Sequence, residues 1–572
     1  VLPIDVKDDF DYSYLGDFIG FDSSQLSTLK KKIEKNQKSY SGKFRPISII
    51  NKLNEITAFK FKERNSQFPG LIIRDVSTRQ YQKESNINMA HVLGQTVINR
   101  ESFANPIFDR ITLVPKFRGG GIENSYDSIL SGDSGERLYL FDARGLSRGL
   151  YEGKVYKAKQ ATAGKDVQLT IDIELQKYIY DILKDSIAAS VICMIPSSGE
   201  ILAYVNKPSI DLNHFNLGVS QKYLDSLNAS NSNSPYINRS IRKYVPGSIM
   251  KIPVSIMLLE EGVDKNSTSS CDGVYEFGSP DTIRFDLDSL NRDSIFYPSA
   301  NIKKCWLESG HGEVDLNHAI YGSCNYYFYD SVINNYSSIY RYKWMDWMEK
   351  LGFGSVTGID VESESSASIE GKKISKSNLL NMVIGQNLEV TPIQVAQMIN
   401  LVANDGRVIT PHFNKNSENM KADKLNLKSS TIKYIKKSMK DAVYKNSRST
   451  DLSIRGTAWR SLYDPGSTVP WPNELNENGN ITIYAKTGTA ETGKDYRKEL
   501  IDLKGNKYKN PNYLESRVPN AWYAGYMEYD EGHKISIVVM LENGGKGGKL
   551  SADIARQVFK KVIELNRAYG YY

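Results

Sequence analysis

Three short polar motifs, widely separated along the chain, constrain its fold more than any other feature of the sequence. They are Ser248-Ile249-Met250-Lys251, Ser323-Cys324-Asn325 and Lys486-Thr487-Gly488-Thr489, in that order. Each motif alone is common enough to occur by chance, whereas the ordered set is rare. The first opens an apolar segment and the third follows an alternating one, so we expect a helix to start at the first motif and a strand to lead into the third.

Length and charge narrow the class of protein. The chain has 572 residues, enough for two or more domains, and a small formal net charge of +7. A lysine-rich run over residues 30–38 is interrupted at helical spacing by Leu29 and Ile33. No aromatic platform accompanies the run, which predicts a solvated helix face and no nucleic-acid partner. No run of about 18 apolar residues occurs, so we predict no membrane-spanning segment within the chain.

The pattern along the chain predicts a multi-domain α+β protein that divides near residue 165. Residues 1–165 form an irregular module without catalytic groups, and residues 166–572 carry the motifs in an antiparallel sheet covered by helices. The predicted strands are 167–171, 191–194, 201–205, 481–486, 522–527 and 534–541. The predicted helices are 172–186 capped by Asp172, 249–260, one from the Thr391 capping box to Asp405, and 552–565.

The first motif has the residues of an activated serine nucleophile. A spacing of three on a helix places Ser248 and Lys251 on one face, with Ser248 at the helix N-terminus. A serine hydroxyl attacks only when a neighbour takes its proton. Lys251 can do so if burial or a nearby positive charge such as Lys486 destabilises its ammonium.

The other two motifs supply polar groups around that serine. Ser323 and Asn325, two residues apart in a predicted loop, can relay a proton and hold a peptide carbonyl. Lys486 and Thr487 form a carboxylate-binding pair, and Gly488 leaves room for a substrate backbone beside the strand.

Further segments, spread over most of the chain, resemble the class B penicillin-binding proteins and more closely their elongation-type members. These segments are Phe68-Pro69-Gly70, His91-Val92-Leu93-Gly94, Leu169-Thr170-Ile171-Asp172, Gly199-Glu200-Ile201-Leu202-Ala203, Lys207-Pro208-Ser209, Tyr244-Val245-Pro246-Gly247-Ser248, Gly310-His311-Gly312, Gly352-Phe353-Gly354, Thr357-Gly358-Ile359-Asp360, Ile384-Gly385-Gln386, Ala521-Trp522-Tyr523-Ala524-Gly525-Tyr526 and Glu542-Asn543-Gly544-Gly545. One position departs from the family pattern: Asn387 stands where a glycine is usual, which puts the conformation of that loop in question.

The resemblance implies a pedestal and dimerisation-type domain over residues 1–165 and a penicillin-binding transpeptidase domain over 166–572. The latter would have a five-stranded antiparallel sheet of the serine β-lactamase type. It further implies a peptidoglycan D,D-transpeptidase on the periplasmic face of the inner membrane, with an N-terminal anchor missing from this chain. The implied partners are peptidoglycan stem peptides, β-lactams, a SEDS-type glycan polymerase and elongation scaffold proteins.

The resemblance also implies a role for each motif residue. Ser248 is the nucleophile, Lys251 the general base, Ser323 a proton relay and Asn325 an orienting amide. The donor carboxylate is held by Lys486, Thr487 and Thr489, with Gly488 between them. The backbone N–H groups of Ser248 and Thr489 form the oxyanion hole.

A second constellation lies beside the second motif. In family members with a zinc site, the positions matching Asp272, Cys305, His311 and Cys324 carry Asp, Asp, His and Cys. Two thiolates, an imidazole and a carboxylate suit tetrahedral zinc with a structural role. Cys271 is an alternative ligand to Asp272, and a disulfide or buried inert thiols are alternatives to zinc.

Two other functions share the first motif. A β-lactamase would need a group that activates water, and the sequence shows no motif for one. A β-lactam sensor or inactive scaffold would acylate without cross-linking, but the chain lacks a signalling segment.

Overall fold

The structure is a computed structural model. It describes residues 1–569, including every motif and candidate ligand residue named above. The residues in this range that it leaves undescribed are 40–41, 45–46, 51–52, 72, 74–78, 83–87, 103–108, 116–120, 134, 136–138, 142–146, 152–158, 185–187, 216–218, 220, 229–233, 278–301, 336–342, 362–363, 367–373, 375, 418–421, 472–480, 492–498, 502–506, 510–517 and 531.

The chain folds as two compact units, Val1–Asp166 with Asp211–Asn231, and Val167–Ile210 with Ser232–Tyr572. Residues 211–231 pack with the first unit, although they follow the predicted domain boundary near residue 165. The backbone N–H of Tyr81 donates to Asn213 Oδ1 at 3.0 Å, and Asn213 Nδ2 returns a bond to the Tyr81 carbonyl at 3.0 Å. A contact so distant in sequence leaves no local signal.

Short helices and two-stranded ribbons make up the first unit. Its helices include Tyr12–Ile19, Ser23–Gln37, Glu55–Glu63, Ala90–Leu93, Ile122–Ser125, Asp127–Leu130 and Gln221–Asn228. Its antiparallel ribbons pair Thr96–Ser102 with Asp109–Pro115, and Tyr139–Phe141 with Ser147–Leu150.

The core of the first unit is small and partly aromatic, with Phe61 stacked on Phe68. On the lysine-rich helix Ser23–Gln37, Leu29 and Ile33 are buried while the lysines are exposed. The predicted solvated helix face is therefore confirmed.

A five-stranded antiparallel sheet organises the second unit, as predicted. Its strand order is Thr482–Ala490, Asn520–Tyr529, His533–Leu541, Ala189–Met194 and Ile201–Lys207. Smaller ribbons pair Ser269–Cys271 with Gly312–Val314, Val274–Glu276 with Ile302–Lys304, Arg407–Ile409 with Ala422–Lys424, and Glu499–Ile501 with Lys507–Lys509. The first strand of the large sheet lies at its edge and carries the third motif.

The helices of the second unit include Ile173–Ile182, Lys251–Glu260, Leu316–Tyr321, Asn325–Asn334, Lys343–Lys350, Lys376–Val383, Pro392–Ala403, Ser429–Tyr444 and Leu550–Tyr569. Ile173–Ile182, Pro392–Ala403, Ser429–Tyr444 and Leu550–Tyr569 pack against the large sheet. Leu175 and Phe559, from the first and last of these, share one apolar core with Val191 and Val539 of the sheet. The helix Pro392–Ala403 starts with the predicted Thr391–Gln394 capping box, and all twelve of its residues are buried.

Two predicted elements differ from the structure. Residues 167–171 do not form a strand, and only Leu169 makes a single bridge, to Asn414. The segment 167–171 is nevertheless held in place beside the sheet. The Thr170 N–H donates to the Phe413 carbonyl, and the Thr170 hydroxyl donates to the Ile201 carbonyl. The helix predicted over 249–260 begins as a 3-10 turn, Gly247–Met250, before the α-helix Lys251–Glu260.

Over the described part of the chain, no helix combines the length and the apolar character needed to cross a bilayer.

Candidate active site

Ser248 lies in the 3-10 turn that leads into a buried helix. Gly247 opens this turn with φ of +57°, a left-handed conformation that favours glycine. A Cβ at Gly247 would lie 2.5 Å from the Thr489 carbonyl oxygen. Ser248 is half-buried, while Lys251, three residues on, is wholly buried. The predicted position of the serine at a helix start is confirmed.

The second motif surrounds the amine of Lys251. Its Nζ donates to the Ser323 carbonyl at 2.6 Å, to Ser323 Oγ at 3.2 Å and to Asn325 Oδ1 at 2.7 Å. Among the described residues, these are the hydrogen-bond partners of this amine. Three acceptors match the three protons that the amine carries as an ammonium.

Local backbone geometry turns Ser323 and Asn325 toward that amine. Ser323 has φ of +60°, and Asn325 is the first residue of the helix Asn325–Asn334, with Cys324 at its N-cap. The amide of Asn325 is oriented by Nδ2, which donates to the Lys304 carbonyl at 3.3 Å. Its Oδ1 is thereby directed at Lys251.

The third motif brings a second buried amine to the same place. Lys486 Nζ donates to Ser323 Oγ at 2.9 Å and to the Thr487 carbonyl at 3.0 Å. The predicted strand 481–486 ends too early, because the observed strand Thr482–Ala490 continues through the whole motif, pairing Lys486 with Ala524 and Gly488 with Trp522. Thr487 is buried and Thr489 is exposed at the sheet edge.

Burial lowers the pKa of both lysines. The pKa of Lys251 falls to about 8 because its amine is desolvated, although the nearby Cys305, Cys324 and Cys271 thiols oppose the shift. The pKa of Lys486 falls well below its usual range through burial and then through the charge of Lys251. The sequence left two causes open for Lys251, burial or the charge of Lys486. Burial is the cause that lowers its pKa.

Gly488 has a different task from the predicted one. A Cβ there would lie 2.6 Å from the Pro246 carbonyl oxygen, so this glycine admits the protein's own segment ahead of Ser248. Gly385 and Gly547, to which the sequence analysis gave no role, act likewise. Their Cβ atoms would lie 1.9 Å from the Gly247 oxygen and 2.0 Å from the Gly488 oxygen.

Gly547 also contacts the predicted carboxylate-binding residue Thr489. Its backbone N–H donates to Thr489 Oγ1 at 3.1 Å. Because this bond occupies a lone pair of the hydroxyl, the Thr489 proton is free to point at an acceptor elsewhere.

Next to the second motif, four buried side chains converge: Cys271, Cys305, His311 and Cys324. Their potential ligand atoms all lie within 4.8 Å of one another. His311 Nδ1 lies 3.7 Å from Cys271 Sγ and 3.5 Å from Cys305 Sγ. Burial opposes protonation of His311, but the bonds to Cys271 and Cys305 raise its pKa to about 9.

Asp272 does not belong to this cluster. Cys271 ends the strand Ser269–Cys271 and lies opposite Gly312, so its side chain is buried while that of the next residue, Asp272, is exposed. Asp272 Oδ1 instead accepts from the Val274 N–H at 3.1 Å. The structure therefore brings the alternative candidate Cys271, and not Asp272, into the cluster.

The four cysteines of the chain are all described and all free of disulfides. Three thiols and one imidazole within reach of a single point suit a tetrahedral metal such as zinc. The cluster also touches the second motif directly, because the Asn325 N–H donates to Cys305 Sγ at 3.4 Å. Cys193, by contrast, lies in the sheet core, as predicted.

Comparison with known families identifies the family of this chain. Residues 189–560 match the model of the penicillin binding protein transpeptidase domain, and residues 12–169 match that of the penicillin-binding protein dimerisation domain. This chain belongs to the penicillin-binding proteins. Because the transpeptidase match alone spans more than half of the chain, the assignment does not depend on the three motifs only.

Individual relatives agree with the family. The peptidoglycan D,D-transpeptidase MrdA of Haemophilus influenzae is 27% identical over 562 residues, which cover 94% of this chain and 77% of the relative. The MrdA protein of Acinetobacter baumannii is 28% identical, over 90% of this chain and 70% of the relative.

Solved structures share the fold. The penicillin-binding protein PBP2 of Helicobacter pylori, in its complex with MreC, superposes with a TM-score of 0.72 at 21% identity and covers 97% of this chain and 91% of that one. PBP2 of Pseudomonas aeruginosa, solved with the ligand WCK 5153, has a TM-score of 0.61 at 23% identity, over 87% and 94% of the two chains. The chain is thus a class B penicillin-binding protein similar to PBP2.

Proposed function

We propose that this chain is a peptidoglycan D,D-transpeptidase that cross-links stem peptides through an acyl-enzyme on Ser248. The observation that carries the proposal is the convergence of all three motifs. The buried amines of Lys251 and Lys486 meet at the hydroxyl of Ser323, beside the turn that carries Ser248.

In the acylation step, Ser248 Oγ attacks the carbonyl carbon of the penultimate D-Ala of a pentapeptide stem. Its proton passes to Lys251, which must first lose a proton and release one of its three acceptors. The C–N bond to the terminal D-Ala then breaks. The leaving nitrogen takes up a proton, which Ser323 can pass on because its hydroxyl contacts the amine of Lys251.

Substrate binding depends on the edge strand. Lys486, Thr487 and Thr489 are the groups for the terminal carboxylate, and the Gly547 contact leaves the Thr489 hydroxyl free to donate to it. The backbone N–H groups of Ser248 and Thr489 are proposed to bind the oxyanion, each contributing about 3 kcal/mol to transition-state stabilisation.

The second half-reaction restores the serine. An amine from a neighbouring stem attacks the acyl carbon, forms the cross-link and breaks the bond to Ser248 Oγ. A β-lactam follows the first half only, because its ring amide resembles D-Ala-D-Ala and its opened product stays on the serine.

We further propose that Cys271, Cys305, His311 and Cys324 hold a structural zinc ion. With four protein ligands there is no open position for a substrate or a water molecule, so the ion would supply cross-linking of the fold. Cys324 lies between Ser323 and Asn325, so a fixed thiolate there would fix both catalytic neighbours.

The cellular setting follows from the substrate and the relatives. The Helicobacter pylori structure contains MreC, and another match, a peptidoglycan synthase complex concerned with polymerization and crosslinking, has a TM-score of 0.61. We infer a role in cell-wall elongation and cell shape, at the periplasmic face of the inner membrane. The proposed partners are a SEDS-type glycan polymerase and elongation scaffold proteins.

A covalent label tests the proposal. Wild-type protein should form one stable adduct with a fluorescent penicillin, and Ser248→Ala should form none. Ser461→Ala, which removes another buried hydroxyl in the same unit, should label like wild type. Labelling of Ser248→Ala would refute the nucleophile, and hydrolysis of the adduct within seconds would indicate a β-lactamase. Cross-linked product from lipid-linked pentapeptide and a glycan polymerase would separate the transpeptidase from a sensor.

A further inference from the structure

An ion pair between the buried Arg239 and the partly buried Glu542 lies near the segment that carries Ser248. The side chain of Arg239 has no exposed surface, and its Nε donates to Glu542 Oε1 at 3.0 Å. Its Nη1 reaches the carbonyls of Ser234 and Ile237 at 3.3 and 3.4 Å. A guanidinium without water is stable only with such partners, so the position of the Glu542 carboxylate is tightly constrained.

The same carboxylate oxygen takes a second bond. Tyr244 OH donates to Glu542 Oε1 at 2.6 Å, a short, charge-assisted contact. Burial, followed by the charge of Glu542, raises the pKa of Tyr244, so the phenol remains a donor. Glu542 is itself anchored just after the strand His533–Leu541, because its N–H donates to the Ala188 carbonyl at 2.8 Å.

Tyr244 stands four residues before Ser248, and the residues between them are bound on several sides. Tyr244 and Val390 exchange N–H and carbonyl bonds at 2.8 and 2.9 Å. The indole of Trp522 donates to the Val245 carbonyl at 3.0 Å. The Gly247 N–H donates to the Gly385 carbonyl at 3.0 Å.

Besides the backbone bonds to Val390, two side-chain contacts hold Tyr244: its ring lies edge-on to Trp522 with the centroids 6.5 Å apart, and its hydroxyl is bound by Glu542. The Glu542 carboxylate that accepts from Tyr244 is in turn bound by the buried Arg239. A displacement of Tyr244 would be transmitted along the chain to the serine, because the backbone at Gly247 is closely packed: a Cβ there would lie 2.5 Å from the Thr489 carbonyl oxygen.

We propose that Glu542, held by Arg239, is a positioning residue that acts through Tyr244 to hold Ser248 in its attacking position. The inference rests on the proposed role of Ser248 as nucleophile. It predicts that the network of Arg239, Glu542 and Tyr244 governs the rate at which Ser248 forms a bond with a bound acyl donor. The same network should contribute little to the binding of that donor.

The experiment uses Tyr244→Phe, Glu542→Gln and the double variant, with Tyr463→Phe as the control. Tyr463 is a buried tyrosine whose OH lies 3.0 Å from Ser447 Oγ, so its variant also loses one hydroxyl contact. Time courses at several concentrations of a fluorescent penicillin separate the dissociation constant from the acylation rate constant. Active-site titration and thermal melting correct for unfolded protein.

Tyr244→Phe should lower the acylation rate constant about tenfold, as small misplacements of a reacting group do, with the dissociation constant changed less than about twofold. The loss should shrink in the Glu542→Gln background, because both changes weaken the same contact. Tyr463→Phe should acylate like wild type. If Glu542→Gln fails to fold, Tyr244→Phe still tests the idea, because it preserves the ion pair.

Two results would overturn the inference. One is an unchanged rate constant in titrated Tyr244→Phe, which would make the network purely structural. The other is a full Tyr244→Phe effect in the Glu542→Gln background. Failure of the proposed function looks different, because wild-type protein itself would then carry no adduct on Ser248 by mass spectrometry.

Discussion

The side-chain amines of Lys251 and Lys486 share one acceptor, the hydroxyl oxygen of Ser323, at 3.2 and 2.9 Å. Both lysines are wholly buried, so two positive charges at this spacing disfavour each other. The arrangement favours release of a proton from one of the two amines. The neutral amine that results is a base that can accept the Ser248 proton. Because the Ser323 hydroxyl contacts both amines, a proton can pass between this hydroxyl and either amine.

The rate of acylation should therefore depend on pH through Lys251. Its pKa is lowered to about 8 by burial, and only its neutral form can take the serine proton. The acylation rate should be low in acid, rise as pH passes through about 8 and level off above it. Penicillin acylation measured from about pH 6 to pH 10 checks this. A flat profile, or one that falls as pH rises through this window, would contradict a lysine base.

Replacement of Ser323 by alanine should slow acylation much more than it destabilises the fold. The variant loses the oxygen shared by the two amines, while Lys251 keeps two acceptors and Lys486 keeps the Thr487 carbonyl. We expect the acylation rate to fall by about a hundredfold, the scale of a lost proton-transfer group. Penicillin time courses and thermal melting are the measurements.

Ser331→Ala is the matched control for this change. Ser331 is a buried serine on the helix Asn325–Asn334, away from both amines. Its variant should acylate at the wild-type rate. Equal slowing in the two variants would mean that the helix, and not the Ser323 hydroxyl, controls the step.

Much of the site was predictable because its motifs are local in sequence. The Ser248–Lys251 spacing and the Thr391–Gln394 capping box each follow from the geometry of one helix. The five-stranded sheet was predicted through the family resemblance, and the observed strands contain five of the six predicted strand segments. The roles of Gly385 and Gly547 were not predictable, because each is defined by a carbonyl oxygen far away in the chain.

The choice between Cys271 and Asp272 shows a second limit. Adjacent residues on a strand point to opposite faces, so only the register decides which one is buried. That register comes from the pairing of Cys271 with Gly312, some forty residues later, and spacing within the motif does not reveal it. The same reason extends the strand beyond Lys486 to Ala490, since Asn520–Tyr529 pairs along the whole motif.

The ligand set of the cysteine cluster can be tested by two adjacent substitutions. Cys271→Ser should lower the zinc content well below about one ion per chain, because a buried thiolate is lost. Asp272→Asn should keep the wild-type content, because that side chain is exposed. Elemental analysis of purified protein gives the answer. Zinc loss in Asp272→Asn but not in Cys271→Ser would indicate that the Asp272 carboxylate is the ligand. Fewer free thiols after denaturation than the sequence contains would indicate a disulfide.

Asn387 keeps the loop conformation that a glycine would give. Its φ is +57°, within the left-handed region that asparagine tolerates better than most residues, and its Nδ2 donates to Asn378 Oδ1 at 2.7 Å. Asn387→Gly should therefore change the free energy of unfolding little, whereas Asn387→Ala should lower it by about 1 kcal/mol. Denaturant unfolding compares them. Equal stability of the two variants would count against the strained backbone.

Zinc binding and catalysis should be coupled through Cys324. Cys324→Ala removes a ligand whose neighbours, Ser323 and Asn325, both hold the Lys251 amine. We expect zinc loss, a lower melting temperature and acylation slowed about tenfold, because the two neighbours lose their fixed geometry. Cys193→Ala removes an equally buried thiol from the sheet core, so it should cost stability through a cavity without slowing acylation. Zinc loss from Cys324→Ala at an unchanged acylation rate would separate the metal from the catalytic loop.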